Sequence, residues 1–124
     1  MMKNSEVVKF LLETQTQFRI LHWQTKSFSR HSAYGRIYDS LDDLIDKFVE
    51  TCMGKHGRPT FTGGYTLAGR DIEELELTEH INLVCEYLVG LSEIYDPKMD
   101  SDLLNIRDEM LGEINQLKYL LTLK

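Results

Sequence analysis

Four apolar stripes, each recurring at the i, i+3, i+4, i+7 spacing of a helix, fill most of this chain, and no segment carries a convincing strand pattern. The first runs from Ser5 to about Thr25 on Val8, Leu11, Gln15, Phe18 and His22, with Asn4 or Ser5 placed to cap its start. The second, from His31 to about Gly54, carries Tyr34, Ile37, Tyr38, Leu41, Leu44, Ile45, Phe48 and Cys52. The third begins at about Thr78 and aligns Leu77, Ile81, Val84, Leu88, Leu91 and Tyr95. It stops at Asp96-Pro97, because a residue before proline is pushed out of helical conformation. The fourth follows a cap at Asp100 or Ser101 and holds Leu103, Ile106, Met110, Ile114, Leu117 and Leu121. Such helices bury their stripes against one another, so the expected fold is all-α, a four-helix bundle formed by residues 1–124 as one domain.

The connections predict the topology. Breaks of about five residues after the first and third helices force antiparallel neighbours. Between the second and third helices, "GKHGRPTFTGGYTLAG" gathers five glycines and a proline and keeps no period. This break, about 22 residues, reaches roughly 70 Å when extended, whereas a helix of about 24 residues is only ~36 Å long. It is long enough to recross the bundle, which predicts a ferritin-like arrangement with one long crossover; a folded lid, or a short helix within the segment, are the other readings. Lys55, His56 and Arg58 lie in it without the spacing of a phosphate-binding loop and are expected to be solvated.

The net charge of −6 opposes tight binding to nucleic acid, whose affinity comes mostly from lysines and arginines that neutralise phosphates. The amino terminus "MMKNSEVVK" makes a poor DNA-binding tail. No apolar run is long enough to span a membrane and no secretory leader is evident, so a soluble, cytoplasmic protein is expected. Cys52 and Cys85 both fall on apolar stripes and read as reduced thiols.

Charge is distributed unusually on the second helix. At about 100° per residue, Asp39, Asp43, Asp46 and Glu50 form one line, roughly 160° from the centre of the apolar stripe. Like charges at i, i+4 repel by a few tenths of a kcal/mol per pair, so either water screens this face or a cation or second subunit sits against it. His22, late in the first helix, and His31, at the start of the second, meet at one corner. Mixed imidazole and carboxylate donors suit iron, manganese or zinc better than calcium or magnesium. Asp46 and Glu50 lie about 22 to 28 Å from His31 along the helix axis, so one subunit cannot unite all four. If they share a metal, two copies must pack antiparallel about a two-fold axis.

The segment "LHWQTKSFSRHSAYGRIYDSLDDLIDKFVE", Leu21 to Glu50, resembles the ferroxidase segment of the Dps family, the miniferritins. His22 and His31 match that family's two histidines, Asp46 and Glu50 its Asp-x-x-x-Glu pair, and Trp23 the tryptophan beside the site. The closing "INQLKYLLTL" is also similar to the family's last helix. The resemblance implies ferrous iron bound and oxidised at a site between two-fold related subunits, homo-oligomers up to a hollow dodecamer, and storage of the ferric mineral. Asp39, Asp42 and Asp43 are then candidates for a negatively charged path to that mineral, against the simpler reading of solvated charges. This chain departs from the pattern at Gly35, where the family usually has a further Asp, and its histidines, nine residues apart, are closer than usual. Trp23 is expected as a buried packing residue. The rival expectations are a non-catalytic adaptor or structural bundle whose metal site has decayed, and a zinc or manganese module without oxidase activity.

Overall fold

In a computed structural model, which describes residues 2–124, the chain folds into helices α1 (Met2–Gln24), α2 (Phe28–His56), α3 (Glu74–Gly90) and α4 (Ser101–Leu120), with a 3-10 turn at Leu91–Glu93. No strand occurs among the described residues. The helix boundaries correct several expectations. Helix α1 is already formed at Asn4, whose side chain accepts a hydrogen bond from Tyr95 Oη instead of capping the helix. Helix α2 starts at Phe28, because Ser27 supplies the cap by accepting from the Arg30 amide. His31 therefore sits within the first turn.

Helix α3 begins before Thr78 and ends at Gly90, short of Asp96-Pro97. Its end is also held from outside. The buried guanidinium of Arg107, on α4, donates to the carbonyls of Leu88 and Val89, which accept from the Leu91 amide as well. Asp100, at the start of α4, makes no side-chain cap. Its carboxylate accepts from the Asp96 amide and from His56 Nε2, both at 2.9 Å, so it ties the end of α2 to the start of α4. Lys55 joins the same cluster through Asp102 and the Met99 carbonyl, so Lys55 and His56, exposed as expected, stand at the structured end of α2 and not in a loop.

Contacts at the helix ends give the topology. His56 beside Asp100, and Arg36 Nη2 beside Gln116 Oε1, make α2 and α4 antiparallel. Asn4 beside Tyr95, and Gln24 beside Ile72, make α1 and α3 antiparallel. With α1 running up, the order is up, down, down, up, and residues 57–73 return from the bottom of α2 to the top of α3. One core joins the helices, with Phe18, Tyr34, Phe48, Met110 and Ile114 among its largest sealed side chains. Phe10 stacked on Tyr87 at 3.5 Å between ring centroids closes the remaining side, between α1 and α3.

The crossover, for which no helix is seen, runs along α1. Tyr65 Oη donates to the Ser5 carbonyl near the bottom. Higher up, the Gln17 side-chain amide donates to the Arg70 carbonyl and accepts from the Arg70 amide, and Gln24 does the same with Ile72. Two glutamines two turns apart thus pair with alternate residues of the crossover, much as an edge strand would. Gly69 permits the close approach: a Cβ there would lie 2.6 Å from Ile20 Cδ1. Between α1, the crossover and α3 the packing leaves a cleft of about 530 Å³. It includes His80, whose Nε2 is buried without a hydrogen-bond partner.

Candidate metal centre

The turn between α1 and α2 is only three residues long, Thr25 to Ser27, so the last turn of α1 and the first turn of α2 face each other directly. His22 and His31 stack there, with ring centroids 3.7 Å apart and planes inclined by 19°. Each Nδ1 lies against the other residue's main-chain carbonyl: His22 Nδ1 to His31 O at 2.6 Å, and His31 Nδ1 to His22 O at 2.8 Å. A carbonyl oxygen only accepts, so each Nδ1 carries a proton and the lone pair of each neutral ring resides on Nε2. Imidazoles that ligate metals are commonly oriented this way, with one ring nitrogen anchored on a backbone carbonyl and the other free. The nine-residue spacing therefore does bring the two histidines together.

Gly35 explains how the stack fits. It lies one turn beyond His31 on α2, and a Cβ at this position would fall 3.0 Å from His22 Cε1 and 3.1 Å from His22 Nδ1. The ring of His22 occupies the space that any larger residue would claim.

Trp23 corrects the expectation of burial: it is 71% exposed. Phe28, with its ring centroid 6.4 Å from that of His31, is 83% exposed. Beside them the Arg19 guanidinium lies 3.8 Å from the centroid of Tyr38 and 5.9 Å from that of Trp23. Two large aromatic side chains thus stand in solvent at the histidine corner, where their exposure is costly unless something covers them.

Asp39, Asp43, Asp46 and Glu50 are all exposed on α2, facing away from the core as their spacing predicts. Asp42 differs in accepting a 2.9 Å hydrogen bond from Gln15 Nε2, which gives it a partner within the bundle. Among the described residues, no three His, Cys, Asp or Glu side chains of one chain converge as a metal site. Cys52 is buried and free, and burial pushes its thiol pKa up, which leaves it protonated and unreactive. Cys85 is free and half-buried.

A family model, described as a family of unknown function, DUF5856, matches residues 22–121. The chain belongs to the DUF5856 family. The match contains all four candidate residues, from His22 to Glu50. The DUF5856 chain is also 35% identical, over 122 residues, to the "Uncharacterized 14.6 kDa protein in mobD-ri intergenic region" of Enterobacteria phage T4. That similarity covers 98% of this chain and 90% of the phage protein. No solved structure matches it. Among the described residues, no helix is long and apolar enough to cross a membrane.

The reciprocal carbonyl anchoring of the two rings has no local mark in the sequence, whereas Gly35 as the floor beneath His22 has one: a glycine in mid-helix, which costs helix stability, one turn from a histidine.

Proposed function

We propose that this chain is a miniferritin-like protein that binds and oxidises ferrous iron at a site shared by two copies. His22 and His31 of one copy and Asp46 and Glu50 of the other hold the ion. The observation that carries the reading is the stacked histidine pair, with both Nδ1 atoms anchored on carbonyls and both Nε2 lone pairs left for a ligand. Three further features support it. The up-down-down-up order with one long crossover is that of ferritin-like bundles. Exposed Trp23 and Phe28 beside the pair call for a covering surface. The carboxylates stand exposed on the same helix at a distance that a two-fold antiparallel partner would bridge.

Ferrous iron is the substrate here. Neutral imidazole nitrogens are good ligands for it, and each ion gives one electron to peroxide or dioxygen. The ferric product is a harder acid and shifts toward carboxylate and hydroxide ligands, for which Asp39 and Asp43 offer an exposed onward path. Zinc or manganese bound by the same donors without oxidation is the neighbouring reading. A non-catalytic bundle with a decayed site is the rival from another class. Gly35 favours it, because the His22 ring fills the place where a further acidic ligand would stand.

Complementation tests the shared site. A chain with His22→Ala and His31→Ala, and another with Asp46→Ala and Glu50→Ala, should each fail to oxidise ferrous iron. Unfolded and refolded together in equal amounts, they should regain roughly a quarter of wild-type activity, since half the dimers are mixed and each mixed dimer has one intact site. No recovery, with mixed dimers shown by mass spectrometry, would refute the sharing. Wild-type oxidation no faster than buffer would leave the non-catalytic reading.

A further inference from the structure

We propose that the outward face of α3 is a docking seam for a cationic amphipathic helix of a partner protein. Leu75, Asn82 and Val89 recur every seven residues, with Thr78 and Cys85 between them at the remaining positions of a heptad seam. Leu75 is 97% exposed and Val89 58% exposed, while Leu83, beside Asn82, is 56% exposed. Leu77, Ile81, Val84 and Leu88 already pack into the bundle with Cys85 half-buried at their edge, so Leu75, Leu83 and Val89 have no role in the chain's own core. From Leu75 to Val89 it extends about 21 Å, enough for a partner helix of some four turns. A shallow groove of about 480 Å³ follows it, bounded by Leu75, Leu83 and the two glutamates Glu79 and Glu86.

Charge selects the occupant. Between Glu73 and Glu93 the chain has six glutamates and neither lysine nor arginine. Glu74 pairs with Arg30, and Glu76 with Arg70. Glu79 and Glu86 have no ion-pair partner among the described residues, and they flank the seam seven residues apart, where coiled-coil helices place the charges that choose their partners. A second copy laid antiparallel on this face sets Glu79 opposite Glu86, and anionic lipid headgroups or nucleic acid are repelled by the same charges. A helix with an apolar seam and flanking lysines or arginines satisfies both the leucines and the glutamates. Asn82 at the centre of the seam calls for a polar residue opposite it, which fixes register.

The probe is a synthetic peptide of about three heptads with leucine and valine on its seam, one central asparagine, and lysine at the flanking positions; its twin carries glutamate there. Fluorescence anisotropy with the full chain should show the lysine peptide binding at least about ten-fold tighter than its twin. Reversing the charges with Glu79→Lys and Glu86→Lys should invert that preference, and Leu83→Lys should abolish binding. Asp39→Lys with Asp43→Lys, a reversal of equal size on α2, should leave it unchanged. Loss of binding in that α2 variant would show unspecific attraction to an acidic protein and overturn the proposal. Failure of the lysine peptide to bind would also overturn it, as would a wild-type dimer in sedimentation that Leu75→Lys dissolves, because the occupant would then be a second copy.

Discussion

Replacing Gly35 by alanine sets two effects of known size against each other. In a helix interior, alanine is favoured over glycine by about 1 kcal/mol. The new Cβ, however, would stand 3.0 Å from His22 Cε1, several tenths of an ångström inside ordinary contact. The ring cannot retreat freely, since its Nδ1 is bound to the His31 carbonyl at 2.6 Å and its face is stacked on the His31 ring. Displacing it forfeits a hydrogen bond of about 1 kcal/mol, together with part of the stacking. The two effects cancel or leave a net loss. Gly112, within α4, provides the comparison, because nothing lies within 4 Å of its would-be Cβ. Gly112→Ala should therefore gain the full amount, about 1 kcal/mol, seen as a rise of roughly 4 °C in Tm by circular dichroism. Gly35→Ala should show no gain, and its affinity for ferrous iron or zinc should fall at least about ten-fold, as is common when an anchored ligand loses its orientation. Nitrogen-15 NMR of the imidazoles reads the cause directly, since wild-type His22 and His31 should both be protonated on Nδ1 and Gly35→Ala should disturb His22. A Gly35→Ala protein as stabilised as Gly112→Ala, with unaltered metal affinity, would refute the argument that the stack is rigid.

Other outcomes follow from the packing. Gln17→Leu keeps the volume but removes both bonds to Arg70, and should cost about 1–2 kcal/mol in urea denaturation while making residues 57–73 the first site of limited proteolysis. Phe18→Ala, at a fully buried position, should cost about 3–5 kcal/mol. Burial, reinforced by nearby Arg70, lowers the His80 pKa. The unfolded chain then binds more protons than the folded one as pH falls through the ordinary histidine range, so the stability tied to His80 is present above about pH 6.5 and is lost below it. His80→Leu should flatten the fall in stability between neutral and mildly acidic pH, measured by denaturation at a series of pH values; an unchanged slope would remove His80 as its cause.

The stripes of α2 and α4 were legible because their cores need a regular apolar spacing, and Tyr34, Ile37, Phe48, Met110 and Ile114 are buried as that spacing requires. The ends were harder to read. Helix α3 terminates where Arg107, seventeen residues further on, reaches back to its carbonyls, a contact with no local trace. Asn4 resembled a cap only as long as Tyr95, ninety-one residues away, was out of view. At the candidate site the histidine corner followed from the short turn, while Trp23 was misjudged because aromatic residues next to a stripe are commonly buried, and this one projects past it. The length of the segment that includes residues 57–73 was enough to read a crossover, but its path was not legible, since what orders it is the side chains of α1.

The glutamine clasp has a consequence for how this protein can vary. Gln17 and Gln24 grip main-chain atoms, which every residue except proline presents in the same way. Apart from Gly69, which must stay small, Ile72, which enters the core, and Arg70, whose side chain pairs with Glu76, the upper crossover is held without regard to its side chains. This part of the crossover is thus a permissive strap, able to change much of its surface chemistry while its path along α1 stays fixed.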